Sequence, residues 1–114
     1  MATLYISEFA YRGSVEGQPL AAVAKTPPHA EQTVAIGGGS LASTAFNAAT
    51  SVVRIHTDSV CSIAWTPAGA AVVAATTANM RLAANQTEYF AVGQTPNPSG
   101  GAPSTMQVSV IANT

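Results

Sequence analysis

Two stretches of this chain, Ser51 to Trp65 (SVVRIHTDSVCSIAW) and Thr105 to Ala112 (TMQVSVIA), alternate apolar and polar side chains at a period of two and carry almost no charge. A strand turns successive side chains to opposite faces, so this pattern predicts strands with one face in a core and the other covered by Ser, Thr, Gln and single charges. In the first stretch Val53 and Ile55 share one face, while Cys61, Ile63 and Trp65 share another. Thr57-Asp58 between them predicts a tight hairpin, because Asp tolerates turn backbone. In the second, Met106, Val108 and Val110 oppose Gln107 and Ser109. Ile63 is therefore expected in the core and Ser62 on the outward side.

The rest of the chain reads as shorter pieces of the same kind. Met1 to Phe9 sets Leu4 and Ile6 against Thr3, Tyr5 and Ser7, a first strand, and Tyr11 to Pro19 follows as a loop broken by Gly13, Gly17 and Pro19. Leu20 to Ala24 and Gln32 to Ile36 are short strands, separated by Pro27-Pro28, which lacks two backbone donors. Gly37-Gly38-Gly39 then makes a turn or bulge. Leu41 to Thr50 is Ala-rich, but Thr44, Asn47 and Thr50 weaken a helix, so it is expected to mix short strand and irregular backbone. Pro67 to Asn79 is a strand or a long surface connection, Gln86 to Val92 a strand, and Gly93 to Pro103 a loop. The count is about seven or eight short strands: an all-β single domain over residues 1–114, built as a small β-sandwich or jelly-roll-like barrel.

Charge narrows the function. Asp, Glu, Lys and Arg make up 8% of the residues and the formal net charge is -1, against roughly 25% charged residues in ordinary domains. Binding to nucleic acid needs a clustered basic face, and Arg12, Lys25, Arg54 and Arg81 are scattered, so no nucleic-acid partner is expected. A surface so neutral is poorly protected against self-association, which suits a protein that works assembled. No apolar run approaches the length of a membrane helix, and Met1 to Phe9 lacks the basic start and apolar stretch of a secretion signal. Synthesis in the cytoplasm and no membrane partner are the expectations. Cys61 is the only cysteine, so no intramolecular disulfide forms, and a free thiol in a strand is expected to be buried.

No group of residues announces chemistry. His56 and Asp58 are two residues apart, but a zinc or iron site needs three or four ligands, and the spacing of His29, Cys61 and Glu88 brings none of them in. Two histidines and five carboxylates give no nucleophile with a base and an orienting acid, and no evident carboxylate pair. No catalytic residue, metal or cofactor is therefore expected. Of the aromatic residues most are expected in the core, since aromatics dominate core burial. Tyr11 is the exception: it adjoins Arg12 in a Gly-punctuated loop, and Tyr and Arg are favoured anchors at interfaces, so Tyr11 and Arg12 are the expected partner contacts.

Four segments together carry a resemblance: Ala2-Thr3-Leu4-Tyr5-Ile6-Ser7-Glu8-Phe9; Val53 to Asp58 with Cys61-Ser62-Ile63-Ala64; Arg81 to Asn85 with Glu88-Tyr89-Phe90; and the closing Val110-Ile111-Ala112-Asn113-Thr114. In these the chain resembles the head decoration, or cement, proteins of tailed bacteriophages. Gly13 to Ala30 and Gly93 to Ser104 match least. The resemblance implies a virion component of β-sandwich or jelly-roll type on the capsid exterior, made in the bacterial host's cytoplasm. Its implied partners are the major capsid protein and further copies of itself, as a homodimer or homotrimer, and it implies no catalytic or cofactor residues. The alternatives are a glycan- or host-surface-binding module of a phage fibre, with Trp65 and Tyr89 lining a groove, or a small subunit that forms a shell or tube by itself.

Overall fold

Among the described residues eight strands form two antiparallel sheets, and four more form two short ribbons. The computed structural model describes residues 2–9, 12–14, 20–24, 27–28, 30–48, 50–92, 94–95 and 104–113, with the backbone alone for 12–14, 20–24, 94–95 and 104. The first sheet has the order β4 (Ala30–Ala35), β1 (Thr3–Phe9), β6 (Val52–Thr57), β9 (Thr87–Ala91). The second has the order β5 (Leu41–Ala42), β12 (Gln107–Ala112), β7 (Cys61–Thr66), β8 (Met80–Leu82). The ribbons are β2 (Arg12–Ser14) with β3 (Leu20–Ala24), and β10 (Gln94–Thr95) with β11 (Ser104–Thr105). Among the described residues there is no helix.

The two sheets pack face to face because their inward sets are apolar. Leu4, Ile6, Val34, Val53 and Ile55 of the first sheet join Cys61, Ile63, Leu82, Val108 and Val110 of the second in one buried cluster, with Phe46 and Val92 at its margin. Most of these side chains are removed from water almost completely. At about 1.5 to 3 kcal/mol for each large aliphatic residue buried, this cluster is the main source of stability.

Strand order departs from sequence order. From β4 onward the chain crosses between the sheets at β4 to β5, β5 to β6, β6 to β7, β8 to β9 and β9 to β12, the wrapped path of a jelly roll. One inner strand of the first sheet, beside β4 and β6, is the N-terminal β1. Residues near both described ends of the chain consequently bond to one short segment. Ile36 N–H donates to the Ala2 carbonyl at 3.0 Å and Ala112 N–H to the carbonyl of the next residue, Gly37, at 2.9 Å.

The hairpin expected at Thr57-Asp58 is not formed, although both flanking strands are. β6 pairs with β1 and β9, and β7 with β12 and β8, so the turn is an arch from one sheet to the other. Its geometry is local. Thr57 Oγ accepts from Ser59 N–H at 3.2 Å, and Asp58 Oδ1 accepts from Thr3 N–H at 2.7 Å and from Ser59 Oγ at 3.2 Å. Those bonds hold the start of β1 against the arch. The expected loop over Tyr11 to Pro19 contains a short strand, β2, and the expected loop over Gly93 to Pro103 contains β10. Within the expected mixed segment, Leu41 to Ala48 has two strand residues and then irregular backbone.

That irregular segment straps one end of the sandwich. Ser43 and Phe46 donate to the Val108 and Met106 carbonyls at 2.7 and 2.9 Å. From the first sheet, the buried Glu8 carboxylate accepts from Asn47 N–H at 2.7 Å, Thr50 Oγ at 2.8 Å and Gln32 Nε2 at 3.3 Å. A buried carboxylate is tolerable only with such donors around it.

The two inner strands of the second sheet, β12 and β7, are largely buried on both faces, while the edge strands β5 and β8 keep exposed residues. Ser62, Thr66 and Ser109 are inaccessible although their side chains point away from the core, and Ala64 beside them is buried as well. The segment between β7 and β8 runs over this outer face: Val73 N–H donates to Thr66 Oγ at 2.9 Å, Ala75 N–H to Ser40 Oγ at 2.8 Å, and Asn113 Nδ2 to both Ser62 Oγ at 2.6 Å and the Thr77 carbonyl at 3.2 Å. Small residues on the sheet and an Ala-rich segment above it allow the close approach. The expectation that Ser62 faces solvent is thereby corrected.

Candidate functional site

With the middle of the second sheet covered, the broad face that remains open is the outer side of β4, β1, β6 and β9. Cross-strand pairing lays its outward residues out in rows. Thr33, Tyr5, His56 and Thr87 form one row, and Glu31, Ser7, Arg54 and Tyr89 the next. At the end of this face beyond the second row Phe9 and Val52 are buried. Adjacent strands lie about 4.8 Å apart, so each row is about 14 Å wide.

A concavity of about 540 Å³ is set into this face, lined by Tyr5, Ile6, Ser7, Glu31, Gln32, Thr33, Arg54 and His56. The Tyr5 ring leans against the His56 ring, with centroids 6.1 Å apart and planes at 46°. His56 Nδ1 is 2.7 Å from Thr87 Oγ, which fixes the imidazole and leaves Nε2 as the ring nitrogen available to a ligand. Tyr5 and Tyr89 are 44% and 58% exposed, so both phenols are open to solvent. The arrangement offers aromatic faces, hydroxyls, a cation and a carboxylate on rigid strands.

The other residues that the sequence singled out lie elsewhere. Tyr11 is outside the described residues, as is His29; Arg12 is described by its backbone alone, which opens β2 opposite Ala24. Trp65 does not join Tyr89 in a groove. It belongs to the second sheet and packs edge-on between Phe46 and Phe90, at centroid distances of 6.4 and 4.9 Å, whereas Tyr89 points out of the first sheet. Asp58 is committed to the arch, and the Thr3 N–H bond, aided by Ser59, holds its carboxyl below the usual range. Cys61 is buried, 3.6 Å from Thr57 Oγ, and burial pushes its thiol up. Among the described residues no three His, Cys, Asp or Glu side chains converge as metal ligands, and no helix is long and apolar enough to cross a membrane.

No family model matches the chain, and no curated protein and no solved structure matches it significantly. The fold and the open face stand on their own geometry.

The constellation Tyr5, Arg54, His56 and Tyr89 escaped the sequence reading. Each residue was legible as an outward position of its own strand. Their assembly depends on the order β4, β1, β6, β9, which joins segments up to dozens of residues apart.

Proposed function

We propose that this chain is a capsid decoration protein, a structural component that binds the outside of a tailed-phage head and stabilises the expanded shell. The observation that carries the reading is a surface rich in exposed apolar side chains and poor in charge. Leu41, Val72, Val73 and Met80 are between 42% and 57% exposed, on the second sheet or the segment that lies over it, while charged residues are 8% of the chain. Such side chains favour burial against a partner, and sparse charge offers little opposition to it. The edge strands β5 and β8, two and three residues long, carry a single gatekeeper charge between them, Arg81, and so are left to be covered by a partner. The resemblance to decoration proteins in the segments around β1, β6, β7, β8 and β12 supports the same reading, as does a sandwich of jelly-roll order, an architecture common in capsid proteins. In this role the partners are the major capsid protein and further copies of the chain, as a dimer or trimer. Its place is the virion exterior and it has no catalytic duty.

The mechanism is linkage. A protein that binds only the expanded lattice stabilises it by RT ln(1 + [L]/Kd) at each site, repeated over many copies. The test mixes purified protein with expanded heads made without it and counts copies bound. Saturation at a number fixed by the shell symmetry supports the proposal, and no binding to expanded heads overturns it. Spontaneous polymerisation without heads would instead support the shell- or tube-forming alternative. Tyr11→Ala and Arg12→Ala, assayed in parallel, are expected to lower occupancy, with His56→Ala and Cys61→Ser unaffected.

A further inference from the structure

We propose that the outer face of the β4–β1–β6–β9 sheet binds a saccharide bearing a carboxylate, with Arg54 pairing the carboxylate and Tyr5 packing on the sugar ring. This goes beyond capsid binding and does not depend on it.

Arg54 stands at the centre of the argument. It sits on an inner strand of the open face, with Ser7 on one side and Tyr89 on the other. Among the described residues no carboxylate lies within ion-pair distance of it. The acid in its own row, Glu31, is two strands away beyond Ser7, about 10 Å at ordinary strand spacing. A guanidinium held in a concavity without a partner is a receptor for a planar anion, which it takes by two parallel hydrogen bonds.

The surroundings decide what carries that anion. A bare phosphate or acetate would use Arg54 and His56 and leave the rest of the concavity unfilled. Tyr5 supplies an exposed aromatic face of the kind that packs on the apolar C–H side of a sugar ring. Ser7, Thr33 and His56 Nε2 supply donors and acceptors that match sugar hydroxyls, which are themselves both. Glu31, at the rim, is acceptor-only and suits a hydroxyl donor. Tyr89, beyond Arg54 in the second row, offers a second ring for a neighbouring sugar. Rigid strands hold all of these in place, so little ordering is needed on binding.

The test uses the isolated chain, labelled with nitrogen-15, titrated with a trimer of galacturonic acid, with the fully methyl-esterified trimer and with inorganic phosphate. The proposal expects the acidic trimer to shift the amide signals of Tyr5, Ser7, Thr33, Arg54 and His56. It expects the ester, which lacks the charge, to bind at least about tenfold more weakly, as loss of one charge-assisted pair implies. Arg54→Gln should lower affinity for the acidic trimer by a similar factor while leaving affinity for the ester unchanged. Tyr5→Ala should weaken both sugars. Equal binding of acid and ester overturns the role of Arg54. Binding of phosphate as tight as that of the acidic trimer overturns the saccharide, and shifts confined to another surface, or none with any probe, overturn the site. Because no heads are present, failure here leaves capsid binding untouched, and failure to bind heads leaves this site untouched.

Discussion

Replacing Ser109 by Ala is predicted to stabilise this protein, an unusual outcome for a fully buried position in a central strand. Ser109 is inaccessible to solvent in β12, opposite Ala64 of β7 and Ala42 of β5, and its Oγ has no hydrogen-bond partner among the described residues. A hydroxyl buried without a partner costs about 1 to 3 kcal/mol in mutational measurements. Ala removes that cost and leaves a void of one oxygen atom, so a net gain of about 1 kcal/mol is expected. Ser62, on the same outer face, makes the control: its Oγ accepts from Asn113 Nδ2 at 2.6 Å. Ser62→Ala loses that bond and is expected to cost about 1 kcal/mol, tempered because Asn113 keeps the Thr77 carbonyl. Urea unfolding reads both. With slopes of about 1 to 3 kcal/mol per molar, the two variants should have midpoints separated by about 0.7 to 2 M, Ser109→Ala above the parent and Ser62→Ala below. A Ser109→Ala midpoint well below the parent would refute the reasoning, because it would mean the hydroxyl is engaged.

Three further outcomes follow from the same structure. Ile63→Ala, at a 1% exposed position of β7 between Val110 and Met80, should cost about 2 to 5 kcal/mol in the same unfolding assay, far more than Ser62→Ala. The Asp58 carboxyl is held below its ordinary range by Thr3 and Ser59, so its contribution is present above the unfolded-state value and is lost as pH falls through the lower folded value; Asp58→Asn should flatten that acid limb of a stability-against-pH curve, and an unchanged limb would count against the arch contact. Cys61, raised by burial, should resist a thiol reagent in the native protein at mildly alkaline pH and react fully after denaturation, with stability falling as pH rises from the unfolded thiol's value toward the folded one.

What the sequence made legible was local. Alternation placed Leu4, Ile6, Val53, Ile55, Ile63, Val108 and Val110 on inward faces, and all are in the core. It failed wherever a partner strand or covering segment decides the outcome. Thr57-Asp58 has turn chemistry, but a hairpin and an arch between sheets use the same residues, and only the pairing of β6 with β1 and β9 distinguishes them. Ser62 and Ser109 occupy outward positions in the alternation, yet the Ala-rich segment between β7 and β8 covers the strands that carry them. Burial on both faces suppresses no polar residue if it is small, so the pattern held no warning. The open face was hidden for the converse reason: Tyr5, Arg54, His56 and Tyr89 become neighbours only through long-range pairing.

The proposed role of the chain, holding an expanded head together, is tested most directly by head stability measured against added protein. Heads prepared without the chain are heated in rising concentrations of it, and the temperature of shell disruption is recorded by calorimetry. In the proposed role this temperature is unaffected below the dissociation constant and then climbs with the logarithm of free concentration, with unexpanded heads showing no such climb. A disruption temperature that stays constant for expanded heads while the protein is present in excess would contradict it.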